Sequence, residues 1–171
     1  DVLLDWSRYI ALCLFPLSIY WAMRRVGFDA LTASFTGLAA PLLSTNGLYG
    51  FEAGSYLWRG HGLTTQLWGM LFLPLALAQG YTALRTGRGY FWAVLLTTVT
   101  LLCHTVLGYI ALVSLGVFAL LPIIDQRKLS DVARASWRSG RRLLLLITLV
   151  ALTSAYFIVP FLLDSRYMNR S

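Results

Sequence analysis

The sequence predicts an all-α protein: a polytopic helical membrane bundle of about six embedded segments, several of them short or kinked, with one interfacial amphipathic helix added. Three observations predict it. The 171 residues are 58% hydrophobic and 12% charged, against roughly 45–50% apolar and 25% charged in an ordinary soluble domain. Apolar runs recur along the whole length, so no part is left over to form a water-soluble core, and mean hydropathy is +0.68. The formal net charge of +7 comes from Lys and Arg lying between the apolar runs. Orientation signals of membrane proteins lie there, so the charge argues for a membrane face and against nucleic acid.

Taken in order, the first span covers Tyr9 to Met23 with flanks, framed by Trp6 and Trp21 as interfacial aromatics and closed by Arg24 and Arg25. Pro16 within it kinks the helix or is accommodated by neighbours. The second, Ala30 to Leu43, is short and rich in small residues, which suits close helix packing. Leu67 to Leu84 forms the next span, interrupted by Pro74 and followed by the basic turn Arg85 to Gly89.

The apolar block from Tyr90 to Ile124 is about 35 residues, roughly 50 Å of helix against about 30 Å of hydrocarbon. Charge placement cuts it in two. With Arg24, Arg25 and the basic segment 125–142 on the cytoplasmic side, Arg85 and Arg88 join them only if the block crosses out and back. The turn then falls near Cys103, His104 and Thr105, and only Arg8, Arg59, Arg166 and Arg170 of the Lys and Arg residues remain outside.

In the segment 125–142, Leu129, Val132, Ala133 and Trp137 recur at helical spacing, with the basic residues mostly off that stripe. This reads as a basic amphipathic helix on the inner leaflet, with Ser130 as N-cap and Gly140 near its end, or else as a solvated charged loop. Leu143 to Leu163 is the last span, and the tail from Asp164 emerges outside. Cys13 and Cys103 lie in apolar runs without C-x-x-C spacing and read as small buried hydrophobes. The chain begins at Asp1 without a start methionine or signal peptide. It is expected to be one transmembrane domain, 1–171, within a longer polypeptide continuing upstream and downstream.

This topology collects the polar chemistry on one side. The outer loop 44–66 carries Tyr49, Glu52, Tyr56, Trp58, Arg59 and His61, and the same side receives His104, Asp164 and Arg166. A titratable cluster at one face of a bundle outlines a site at the membrane–water boundary. Each member has a plainer reading beside it. Glu52 is a loop acid or a partner of Arg59. Arg59 grips a phosphate or snorkels to the headgroups. His61, between Gly60 and Gly62, approaches a ligand or marks an exposed turn. His104 binds substrate or is a hydrogen-bonded structural residue. No H-x-x-H or H-E-x-x-H spacing supports a metal, and there is no G-x-S-x-G elbow, P-loop or dinucleotide fingerprint. No cofactor is called for.

The runs FPLSIYWAMRRVGFDA, PLLSTNGLYGFEAGSYLWRGHGLTTQLWGMLFLPLALAQG, TLLCHTVLGY and AYFIVPFLLDSRYMNRS resemble bacterial polytopic membrane glycosyltransferases of the GT-C type. Within that type they are similar to the group labelled 6-pyruvoyl-tetrahydropterin-synthase-related membrane proteins. The resemblance implies an enzyme of the bacterial inner membrane. It would take a sugar from a polyprenyl-phosphate-linked donor and transfer it to an acceptor on the outer face, the bilayer and the lipid-linked donor being its partners. It also implies that the catalytic acid of such enzymes precedes Asp1. Under this expectation Glu52, His61 and His104 are the catalytic candidates. Arg59, Trp58, Tyr56, Tyr49, Asp164 and Arg166 are the substrate-binding ones. A non-enzymatic transporter or assembly segment is the competing class, because broken, Gly- and Pro-interrupted spans suit transporters equally.

Overall fold

The computed structural model describes residues 2–42, 64–124 and 129–164. Among them the chain is helical throughout, with no strand. Six α-helices follow one another: α1 Val2–Val26, α2 Ala30–Ala39 continued by a 3₁₀ turn Ala40–Leu42, α3 Thr64–Thr86, α4 Tyr90–Cys103, α5 Thr105–Ile124 and α6 Leu129–Asp164. Two are long and apolar enough to cross a membrane: α3, and the stretch Asp131–Pro160 of α6. The apolar α2, α4 and α5 are shorter.

The helix boundaries have local causes. After α1 the chain turns at Gly27, whose φ of +117° is open to glycine. Asp29 then caps α2: its carboxylate accepts from the Thr32 N–H at 3.0 Å and from the Thr32 hydroxyl at 2.6 Å. Those bonds, the hydroxyl's first, hold the Asp29 carboxyl below its usual pKa. Between α3 and α4, Gly87 and Gly89 take φ of +76° and +79°, a turn that side chains resist.

Packing fixes the order of the bundle. Ser7 near the start of α1 accepts a hydrogen bond from Trp68 Nε1 near the start of α3 at 2.9 Å. Below it Ala11, Phe15, Leu67 and Leu71 form one buried cluster, so α1 and α3 run parallel. Gly37 of α2 sits on α1, where a Cβ would come within 2.8 Å of the Pro16 carbonyl oxygen. That close approach is what the small residues of α2 permit. The second cluster joins Ala83 and Leu84 of α3, Ala93 and Val94 of α4, Leu115 and Ala119 of α5, and Leu146 and Val150 of α6. Helix α3 belongs to both clusters and is the centre of the molecule. Across the α4–α6 seam the hydroxyls of Thr98 and Thr153 meet at 2.8 Å.

Two expectations are corrected. The amphipathic segment 125–142 and the last span are not separate helices: α6 runs unbroken for 36 residues, with Ser130 inside it and Gly140 in mid-helix. At 1.5 Å per residue that is roughly 54 Å, well beyond a hydrocarbon layer of about 30 Å. One glycine costs a helix about 1 kcal/mol and does not break it, so the change from charged to apolar composition leaves the backbone unchanged. Cys13 is exposed, not buried, because an apolar run presents an outer face as well as an inner one. Large apolar side chains such as Leu3, Phe35, Phe91, Tyr109 and Leu152 are exposed on every described α-helix except α3.

Candidate functional site

The break expected near Cys103, His104 and Thr105 is present. His104 is the single non-helical residue between α4 and α5, with φ −156° and ψ 108°. Its N–H still donates to the Thr100 carbonyl at 3.0 Å, and its carbonyl accepts from the Gly108 N–H at 3.0 Å. One residue therefore ends α4 and opens α5. The corner is tight because Gly108 has no side chain: a Cβ there would lie 2.5 Å from the Leu101 Cα.

Helix α3 closes the corner from the other side. A Cβ on Gly69 would stand 3.0 Å from Leu107 Cδ1 and 3.1 Å from the His104 Cβ. The imidazole is thereby confined, and its Nδ1 is buried without a hydrogen-bond partner among the described residues. A buried polar nitrogen left open costs roughly 1–3 kcal/mol unless something satisfies it. Imidazole can donate or accept at that atom according to its tautomer.

The corner lies at the end of the bundle where α1 and α3 begin and where the Ser7–Trp68 clasp sits. Asp5 and Arg8 pair at that end of α1, 3.4 Å apart. Thr64, the first residue of α3, belongs to the same end and lies within the last residues of the polar segment 44–66. Tyr49, Glu52, Tyr56, Trp58, Arg59, His61 and Arg166 lie outside the described residues, as does the side chain of Asp164, which is the last residue of α6. Of the candidates read from sequence, His104 is the one whose surroundings are defined. Among the described residues no three His, Cys, Asp or Glu side chains gather as a metal site would require.

From this end an apolar groove of about 610 Å³ runs along α1, α3 and α4, walled by Trp21, Trp68, Phe72 and Trp92, with Ser18 and Gln79 as its polar members. Trp68 and Phe72 stack at 6.1 Å between ring centroids. Sequence reading passed over Ser7, Trp68, Gly69 and the groove. The available signal was the glycine one residue after a tryptophan at the head of a span, a small residue where something must approach closely. No family model matches this chain, and no curated protein and no solved structure matches it.

Proposed function

We propose that this chain is a membrane-embedded part of a glycosyltransferase that moves a sugar from a polyprenyl-phosphate donor to an acceptor at the outer face of the bacterial inner membrane. The observation that carries the reading is the open, buried Nδ1 of His104, at the end of the bundle from which α3 leads back into the polar segment. The resemblance supplies the reaction class. The groove along α1, α3 and α4 adds support, being an apolar channel of the kind an isoprenoid tail occupies.

In this reaction the acceptor hydroxyl oxygen attacks the anomeric carbon as the bond from that carbon to the phosphate oxygen breaks. The hydroxyl proton passes to a carboxylate, and polyprenyl phosphate leaves with the bonding pair. Glu52 is the candidate carboxylate among the residues of this sequence. His104 and His61 donate to the phosphate as charge develops on it, and Arg59 holds it in bidentate fashion. Trp58, Tyr56 and Tyr49 wall the sugar, and Asp164 and Arg166 complete the rim. On this topology the arginines at the far end of the bundle face the cytoplasm.

The test is lipid-linked sugar transfer by the complete protein in proteoliposomes. His104→Asn, whose amide nitrogen stands where Nδ1 does, keeps most of the activity, whereas His104→Ala loses about 100-fold in kcat, the scale of one lost transition-state donor, while the variant remains folded. Undiminished transfer by His104→Ala removes the residue from the site. A complete protein that transfers no sugar from any polyprenyl phosphate leaves the non-enzymatic class.

A further inference from the structure

At the end opposite His104, a second cavity of about 820 Å³ opens between the α3–α4 turn and the first four turns of α6. Its polar lining is built from Arg88 on the turn and from Arg134, Arg138, Arg141 and Arg142 on α6, with Tyr90 and Trp137 beside them. Along α6 those arginines stand at i, i+4, i+7 and i+8, so they share one helix face. Among the described residues no carboxylate lines the cavity.

The arginines divide by what already holds them. Arg142 is structural: its Nη1 donates to the Leu84 and Arg85 carbonyls at 2.9 and 2.8 Å, and its guanidinium lies where a Cβ on Gly87 would stand. It neutralises the carbonyl end of α3 and forms the floor. Arg134 pairs loosely with Asp131 at 3.7 Å. Arg88, Arg138 and Arg141 are exposed, and no described carboxylate is within ion-pair distance of them. Like charges drawn to one side of a cavity repel, and a bound anion relieves that repulsion.

The apolar part of the lining narrows the choice of anion. Trp137 is 76% exposed on the same face as the arginines, with Ala133 and Leu145 in the same wall. A site for a soluble anion has no use for an exposed indole, whereas Trp beside Arg is the pairing found at the headgroup level of a bilayer. Leu145 lies in the apolar run that begins at Leu143.

We infer that this cavity binds the phosphate of an anionic phospholipid, gripped by Arg88, Arg138 and Arg141, with Trp137 against the glycerol and upper chain region. The inference rests on membrane placement of the bundle and not on the transferase reading. A free phosphate offers the same anionic chemistry without chains, and the experiment separates the two sources.

The complete protein, exchanged into an uncharged detergent, is titrated with phosphatidylglycerol and with phosphatidylcholine, and bound lipid is counted by native mass spectrometry. Phosphatidylglycerol binds saturably and more tightly than phosphatidylcholine. Arg138→Gln with Arg141→Gln weakens it about 25-fold, from roughly a factor of five per basic residue at a membrane surface, without changing phosphatidylcholine binding. Inorganic phosphate at millimolar concentration leaves phosphatidylglycerol bound if the chains contribute. Displacement by it reassigns the site to free phosphate and overturns the lipid assignment. Equal binding of both lipids, or an unchanged double variant, overturns the site altogether. Loss of membrane placement would show separately, as protein extracted from membranes by alkaline carbonate. Should the double variant unfold, Arg88→Gln on the α3–α4 turn must weaken phosphatidylglycerol binding by itself, or the inference falls.

Discussion

Helices α3 and α6 both have the length and apolarity of a membrane span, yet they are built for opposite surroundings. The most apolar window of α6 has mean hydropathy 2.3 and is 17% buried, whereas that of α3 has 1.3 and is 50% buried. Helix α3 exposes none of its large apolar side chains, while α6 exposes Leu144, Leu152, Tyr156 and Val159 among others. The helix that scores highest as apolar is thus the one least engaged with the protein. On the proposed membrane placement, the hydrophobic effect offers no gain between helices, because lipid tails are as apolar as leucine. Close approach through small residues does the work instead, and α3 carries Gly69, Ala76, Gly80 and Ala83 where its neighbours press on it.

The sharpest way to break that comparison is to give α3 a side chain it has no room for. At Gly80 a Cβ collides with the side chain of Leu115, and Leu115 is itself fully buried and has nowhere to swing. Gly80→Val is expected to destabilise the bundle by about 1–3 kcal/mol through overpacking, read as a lowered thermal midpoint of the complete protein in detergent. An unchanged midpoint would mean that α3 is not the packed centre.

A smaller effect is expected where the two helices meet. Arg142 of α6 donates to two carbonyls at the end of α3. Arg142→Met keeps the stem and removes both bonds, at a cost of about 1–2 kcal/mol for a half-exposed pair. Hydrogen exchange across the last turn of α3 is the direct readout. It should accelerate there while the α1–α3 clasp at Ser7 and Trp68 stays protected.

How far the sequence foretold all this differs from one element to the next. The break at His104 was legible because the block Tyr90–Ile124 is too long for one crossing and the flanking arginines require an even number of crossings. The gathering of arginines at the end opposite His104 follows from the same argument. The continuity of α6 was not legible: a switch from charged to apolar composition looks like a boundary, but only a breaker interrupts helical hydrogen bonding, and Gly140 alone does not suffice. Trp137, read with Leu129, Val132 and Ala133 as an apolar stripe toward the inner leaflet, stands exposed among arginines, while Ser139 of the same helix is buried. His104 stands out in the sequence because an ionisable residue in an apolar run is costly. The Trp68–Ser7 bond spans 61 positions, and no local pattern announces a contact of that range.

The smallest effect has the opposite sign. Around Gly140 of α6 no described residue lies within 4 Å of where a Cβ would stand, and the residue is in mid-helix. Gly140→Ala meets no neighbour and lowers the entropy of the unfolded chain, so it should stabilise the protein by about 0.5–1 kcal/mol. The same atom added to α3 at Gly80 works against the fold. The pair separates helix propensity from packing, because each variant adds side-chain carbon to a helical glycine and only the surroundings differ. If Gly140→Ala also lowered the thermal midpoint, that stretch of α6 would have to be in contact with another surface, and the contrast between a packed α3 and an outward-facing α6 would stop short of residue 140.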